Sequence, residues 1–168
     1  MSAAGLPTTV DGSRSDPGSY CRLGPRVNIY AATGADVYYV MRDLRTTPDI
    51  ELISEEALHA AIKTSTYAWI AEVDNKPVAL WGFYKPSLLA DEGFIWMVTT
   101  NAVEEHQFTF IRYGRMVLDM MFQKCNLLYG VVHPEFYRSH KFLKFFKFEI
   151  GDPVHLNGRY MLVFKRSK

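Results

Sequence analysis

The side chains able to move protons or attack a carbonyl are spread along this chain rather than gathered into one local motif. The five histidines lie at 59, 106, 133, 140 and 155, and no pair has a metal-ligand spacing, so no metal site is implied. Cys21 and Cys125 are the only cysteines. Neither belongs to a CxxC pair, and Cys125 has no histidine or acid in a local motif, so it reads as a packed thiol in a reducing compartment. Glu72, Asp91, Glu92 and His133 are the candidates for a general base, and Tyr137 is a phenol close to His133 in sequence. Each has a plainer reading as a solvated charge, turn former or cap. Arg138, Lys141, Lys144 and Lys147 recur every three residues, which puts them on one side of a helix. They could meet phosphates of DNA or of a cofactor. The competing reading is a solvated face opposite Phe142, Phe145 and Phe146.

These residues are set in a chain of 168 residues, 48% hydrophobic, with 19 basic and 18 acidic side chains. That length fits one domain able to bury a core without disulfide or metal staples. A net charge of +1 supplies no global field to recruit nucleic acid or anionic membrane. The apolar runs fall short of a membrane span, and the first residues lack the basic and apolar regions of a signal peptide, so a protein that is not secreted is expected. Residues 1–26 are built from Gly, Pro, Ser, Thr and Asp. They read as a flexible arm that would order only against another chain, leaving 27–168 as the single folded domain.

The pattern within that domain predicts a strand at 26–31 and a helix capped by Thr33, with Asp36 at the capping-box offset. Ser54-Glu55-Glu56 opens a second helix, with Ala57, Leu58, Ala61 and Ile62 on one stripe. Strands at 67–73 and 78–84 flank the turn Asp74-Asn75-Lys76-Pro77. The run at 93–100, GFIWMVTT, is apolar on both faces and reads as a central strand. A long helix at 103–124 follows, with Phe110, Tyr113, Val117, Met120 and Met121 on one side and Glu105, Arg112, Arg115, Asp119 and Gln123 on the other. A fifth strand at 127–132 leads to Pro134 in the first turn of a last helix, ending near Phe146. Strands at 148–150 and 159–166 close the chain around a turn-rich segment, 151–158. The order β-α-α-β-β-β-α-β-α-β-β implies an α/β or α+β domain with a mixed sheet. Phe108 falls on the polar side of the long helix, so it is an interface candidate, with Tyr38, Tyr39 and Tyr137 behind it.

This layout resembles the GNAT (GCN5-related N-acetyltransferase) fold over about residues 27–165. Ile29 to Asp36 is similar to that family's opening strand and helix start, and Phe142-Leu143-Lys144 with Phe148 is similar to its FLxxLGF-like ending. More narrowly, GFIWMVTT, the long amphipathic helix, FLKFFKF and EIGDP resemble GNAT-like proteins of short-tailed bacteriophages, among them an internal virion protein. The resemblance implies a central mixed sheet of six or seven strands flanked by about four helices. It also implies an acyl-coenzyme A cleft where the fourth and fifth strands part, with His133 at its mouth.

The departures from that family bear on chemistry. Its members hold pyrophosphate on a glycine-rich loop at the helix start after the central strand. Here Thr99 to His106 contains no glycine, and Glu104 and Glu105 bring negative charge. The family's tyrosine acid corresponds to Leu143, and the glycine of its ending to Lys147. The expectation is therefore a degenerate acyl-CoA site in a phage virion-associated or assembly protein that acts by binding other protein chains, in the virion and host cytoplasm. Phe108, Arg138, Lys141 and Lys144 would be the contacts, with DNA contact a lesser option, and no cofactor is expected. The alternative is an acetyl-CoA-dependent N-acyltransferase, for which Val98, Thr99, Thr100 and Arg112 would hold the cofactor and His133, Tyr137 or Glu72 would move protons.

Overall fold

The computed structural model describes residues 26–168. The proposed arm and Cys21 lie outside the described residues, apart from Arg26. The elements are β1 (Val27–Ala31), α1 (Gly34–Arg42), α2 (Glu55–Thr64), β2 (Tyr67–Val73), β3 (Lys76–Tyr84), β4 (Glu92–Thr99), α3 (Gln107–Phe122), β5 (Leu127–Val132), α4 (Tyr137–Phe145), β6 (Glu149–Leu156) and β7 (Arg159–Ser167). This is the element order read from the sequence, an α/β domain with four α-helices. The seven strands form one mixed sheet in the order β1-β2-β3-β4-β5-β7-β6, so β4 is central.

Local chemistry explains most of these boundaries. The Thr33 N–H donates to the Asp36 carboxylate at 2.7 Å and starts α1, and the Ser54 hydroxyl accepts from the Ala57 N–H at 3.1 Å to start α2. Asp74 and Asn75 both take positive φ, 50° and 63°, the left-handed pair of a two-residue hairpin turn. Alternation along the strands divides the core between the two faces of the sheet. Val37 and Val40 of α1 and Leu58 of α2 pack on Ile70 and Leu80, with Trp96 and Val98 beside them. Phe110, Val117, Met121 and Phe122 of α3, Leu143 of α4 and Phe146 just after it pack on the opposite cluster, with Val27, Ile29, Trp69, Trp81, Phe83 and Phe164.

Three expectations need correction. The helix foreseen from residue 103 begins as a 3-10 turn, Asn101–His106, and becomes α-helical only at Gln107. The reason lies in how the chain leaves β4. Thr99 O accepts from Arg45 N–H, Thr100 N–H donates to Val78 O, and Asn101 N–H donates to Asp43 O, each at 3.0 Å. The backbone is pinned there, and the tighter winding sets consecutive Ala102 and Val103 into the core. The last helix begins at Tyr137, because Pro134 and Glu135 form a turn closed by Phe136 N–H donating to His133 O at 3.0 Å. Finally, Gly151 to Pro153 is not a turn but an irregular stretch inside β6, with the register shifting between Ile150 and Pro153. β6 is an edge strand, where the donor that proline lacks is not needed. The actual turn is Asn157-Gly158, with φ 49° and 78°.

Candidate functional site

β4 and β5 run parallel, but they pair only over Glu92–Phe94 with Leu127–Tyr129. Beyond Phe94 they part. Gly130 sits at the fork: a Cβ there would lie 2.7 Å from the Ile95 carbonyl oxygen and 2.4 Å from the Phe164 ring. Only a residue without a side chain lets β5 come this close to β4 just before the two separate. The closed end of the V is locked by Asp91, whose two carboxylate oxygens each accept from Asn126 Nδ2 at 2.9 Å and whose carbonyl accepts from Asn126 and Leu127 N–H.

Where the strands part, a cavity of about 200 Å³ is lined by Ile95 and Met97 of β4 and Val131 and Val132 of β5. Beside the far end of β4, a cleft of about 530 Å³ opens between the 44–53 segment, the start of the crossover and α4. The far end of β4 (Met97, Val98, Thr99) forms one wall, with Val103, Phe110 and Ile111 at the start of the crossover and Phe136, Phe142 and Phe145 around α4. Its polar rim carries Arg45, Glu104, Gln107, Arg138 and Lys141. These polar groups are not independent. The Glu104 carboxylate accepts from Arg45 Nη2 at 2.5 Å, from Arg138 Nη1, and from Gln107 Nε2 at 3.0 Å. Arg45 is the buried member, its side chain 17% exposed against 70% for Arg138. The backbone donors at this turn are also engaged: Thr100 and Asn101 N–H as above, and Val103 N–H on Thr100 O at 3.2 Å. An anion arriving at the helix start meets a carboxylate already clasped by two guanidinium groups, with the Thr100, Asn101 and Val103 amides already bonded.

The residues singled out from the sequence distribute unevenly around this cleft. Val98 and Thr99 line it. Thr100 does not: it is fully buried, and its hydroxyl donates to Pro77 O at 2.6 Å. Arg112 is exposed on the outer side of α3. Arg138 and Lys141 line the cleft, whereas Lys144 is exposed away from it. Phe108 is 92% exposed on the outer side of the helix start.

None of the three proton-transfer candidates borders the cleft. Glu72 accepts from the Tyr30 hydroxyl at 2.7 Å, on strands two and three removed from β4. Burial, and then that hydrogen bond, push the Tyr30 phenol above its ordinary range. His133 Nδ1 accepts from Glu135 N–H at 3.2 Å, and its carbonyl lies 3.0 Å from His140 Nε2. Tyr137 packs edge-on against His140 and is 68% exposed. Glu92 opens β4 at the closed end of the V. Cys125 is buried, which pushes its thiol up, away from nucleophilic character. Arg45, Gln107 and Gly130 were not singled out from the sequence. Arg45 and Glu104 are 59 residues apart, and the bridge of Leu44 to Thr100, with Asn101 Nδ2 donating to Asp43 Oδ1 at 3.0 Å, brings their segments together.

Comparison with protein-family profiles and with curated proteins finds no match for this chain. Solved structures do match. Ard1 from Thermoplasma volcanium aligns over 84% of this chain and 97% of its own, at 13% identity with a TM-score of 0.68. The aminoglycoside acetyltransferase AAC(6')-Ib in complex with coenzyme A aligns over 85% and 95%, at 12% identity and 0.64. A spermidine N-acetyltransferase SpeG chimera from Vibrio cholerae and hSSAT aligns over 84% and 95%, at 13% identity and 0.64. The fold is that of the GNAT acetyltransferases. Among the described residues no helix is long and apolar enough to cross a membrane, and no group of His, Cys, Asp and Glu could hold a metal ion.

Proposed function

We propose that this chain works by binding, on a GNAT fold whose phosphate end is taken by the protein's own carboxylate. The observation that carries this reading is the Arg45–Glu104–Arg138 cluster on the rim of the cleft at the far end of β4. AAC(6')-Ib, which shares the fold, has been captured with coenzyme A and with acetyl-CoA. A pyrophosphate reaching the same helix start here would have to displace Glu104 from two arginines and sit beside Glu105. The distance of Glu72, His133 and Tyr137 from the cleft also favours binding over turnover. Other protein chains are the proposed partners, with exposed Phe108 and Lys144 as contacts beside Arg138 and Lys141. A role in a phage virion or its assembly is the finer reading, and it rests on the sequence resemblance.

The second reading is an acyl-CoA-dependent N-acyltransferase. It is favoured by the shared acetyltransferase fold and by a cleft of about 530 Å³ with Arg45, Arg138 and Lys141 on its rim. A transfer assay separates the two. The protein is incubated with acetyl-CoA and, in turn, spermidine, an aminoglycoside and a peptide with a free N-terminus, and thiol release is followed. The binding reading expects release at the rate of buffer alone. Release proportional to protein concentration, with an acetylated amine as product, would establish the enzyme.

A further inference from the structure

The chain's net charge of +1 conceals a segregation of charge that the packing of the helices brings out. α3 and α4 carry five of the 19 basic side chains and, in Asp119, one of the 18 acidic ones. On α3, Phe108, Arg112 and Arg115 follow at steps of four and three, so they form one stripe, and all three are exposed. On α4, Arg138, Lys141 and Lys144 form a second exposed stripe at steps of three. The two helices lie side by side and run the same way. Phe110 meets Phe142 with ring centroids 5.2 Å apart, and at Gly114 an added Cβ would come within 3.0 Å of the Phe146 ring. The stripes join at Arg115, whose guanidinium lies 5.2 Å over the half-exposed Phe145 ring. Arg138 is already engaged by Glu104. That leaves Arg112, Arg115, Lys141 and Lys144 as cations without an acidic partner among the described residues.

Every large apolar side chain exposed on these two helices is aromatic: Phe108 at 92%, Tyr137 and Phe145. An aliphatic face would suit lipid, but the exposed leucine pair, Leu88 and Leu89, lies in the loop between β3 and β4. Flat rings set between cations suit a chain that offers a flat base beside each phosphate. We propose that the outer face of α3 and α4 binds single-stranded nucleic acid without regard to sequence, with phosphates on Arg112, Arg115, Lys141 and Lys144 and bases stacked on Phe108 and Phe145. The phosphates supply affinity that salt weakens. The rings favour unpaired bases over a duplex, whose bases are stacked on one another. This inference goes beyond the protein binding proposed above. It shares Phe108, Lys141 and Lys144 with that reading, so a protein partner and a strand would compete. Its probes contain no protein, so failure of either leaves the other standing.

The test is fluorescence anisotropy of labelled oligothymidylate and oligouridylate, each about 12 nucleotides long, with a duplex of that length as the control. Both strands are expected to bind with dissociation constants of about 1–100 μM at physiological salt, the non-specific range, and more weakly as salt rises. Four phosphate contacts predict a slope of about −3 in log affinity against log salt. Arg112→Gln or Lys144→Gln should each reduce its size by about 0.7. Phe108→Ala should weaken both strands at least about fivefold with the slope unchanged, and Phe145→Leu repeats the stacking test at the other ring. These side chains are exposed, so thermal midpoints should stay within about 2 °C of native. The proposal is overturned by no anisotropy change at low salt, by a slope unaltered in both charge variants, or by a duplex bound as tightly as the strands. Full affinity in both Phe108→Ala and Phe145→Leu overturns it as well. So does polyglutamate that displaces the strands as effectively as unlabelled strand does, which would give the face to an acidic protein segment.

Discussion

Replacing Glu104 by glutamine keeps the size of the side chain and removes the one negative charge held between Arg45 and Arg138. Two consequences can be sized. The loss of two ion pairs is modest, because Glu104 is 40% exposed and exposed pairs contribute about 0.2–1 kcal/mol. Arg45, at 17% exposure, has little water to replace its partner, which puts the cost near the top of that range. A fall of about 2–4 °C in thermal midpoint is expected. The gain is on the ligand side. A phosphate about 5 Å from a carboxylate is repelled by about 0.8–3 kcal/mol between solvent-like and surface-like screening. Removing that repulsion should raise affinity for coenzyme A or inorganic pyrophosphate about tenfold, and the freed Arg45 adds to the effect. The assay is calorimetric titration of native protein and Glu104→Gln with each ligand, at low and high salt. The gain should shrink as salt screens the site. Equal affinities in the two proteins, or a weaker variant, would refute the view that Glu104 guards this helix start.

Further outcomes follow from the same geometry. Lys147, at the end of α4, takes φ 62°, so Lys147→Gly should stabilise the protein by about 0.5–1 kcal/mol in chemical denaturation, while Lys147→Ala should not. Gly130→Ala drives a methyl group into the Ile95 carbonyl and the Phe164 ring; it should cost about 1–3 kcal/mol, read as a lower denaturation midpoint. The Tyr30 phenol has a folded-state pKa raised above its unfolded value near 10, so the native state keeps a proton that the unfolded chain releases. Its contribution is therefore intact below about pH 10 and lost as pH rises beyond it, and Tyr30→Phe should flatten this alkaline fall in thermal midpoint.

Much of this fold was legible from local chemistry. Thr33 with Asp36, Ser54 before two glutamates, and Asp74-Asn75 between alternating strands each act within a few residues, and the structure uses all three as helix starts and a turn. The polar side of the long helix was equally legible: Glu105, Arg112, Arg115, Asp119 and Gln123 are all exposed. Lys147 in the left-handed region also matches the place of a glycine in the FLxxLGF-like ending. What local pattern could not supply was tertiary pinning. The 3-10 turn at Asn101–His106 depends on carbonyls of Asp43 and Val78 that lie far away in the chain. The cleft shows the same limit. The charge of Glu104 was visible in the sequence, but its clasp by Arg45 and Arg138 joins three distant segments.

Titration of the native protein with acetyl-CoA by isothermal calorimetry tests the central claim most directly. With Glu104 held in place and the Thr100, Asn101 and Val103 N–H groups bonded to protein carbonyls, the heat should stay at the level of dilution up to about millimolar ligand, an affinity no better than about −4 kcal/mol. Saturable binding with a low-micromolar dissociation constant, about −8 kcal/mol, would contradict the account and make the acyltransferase reading the one to pursue.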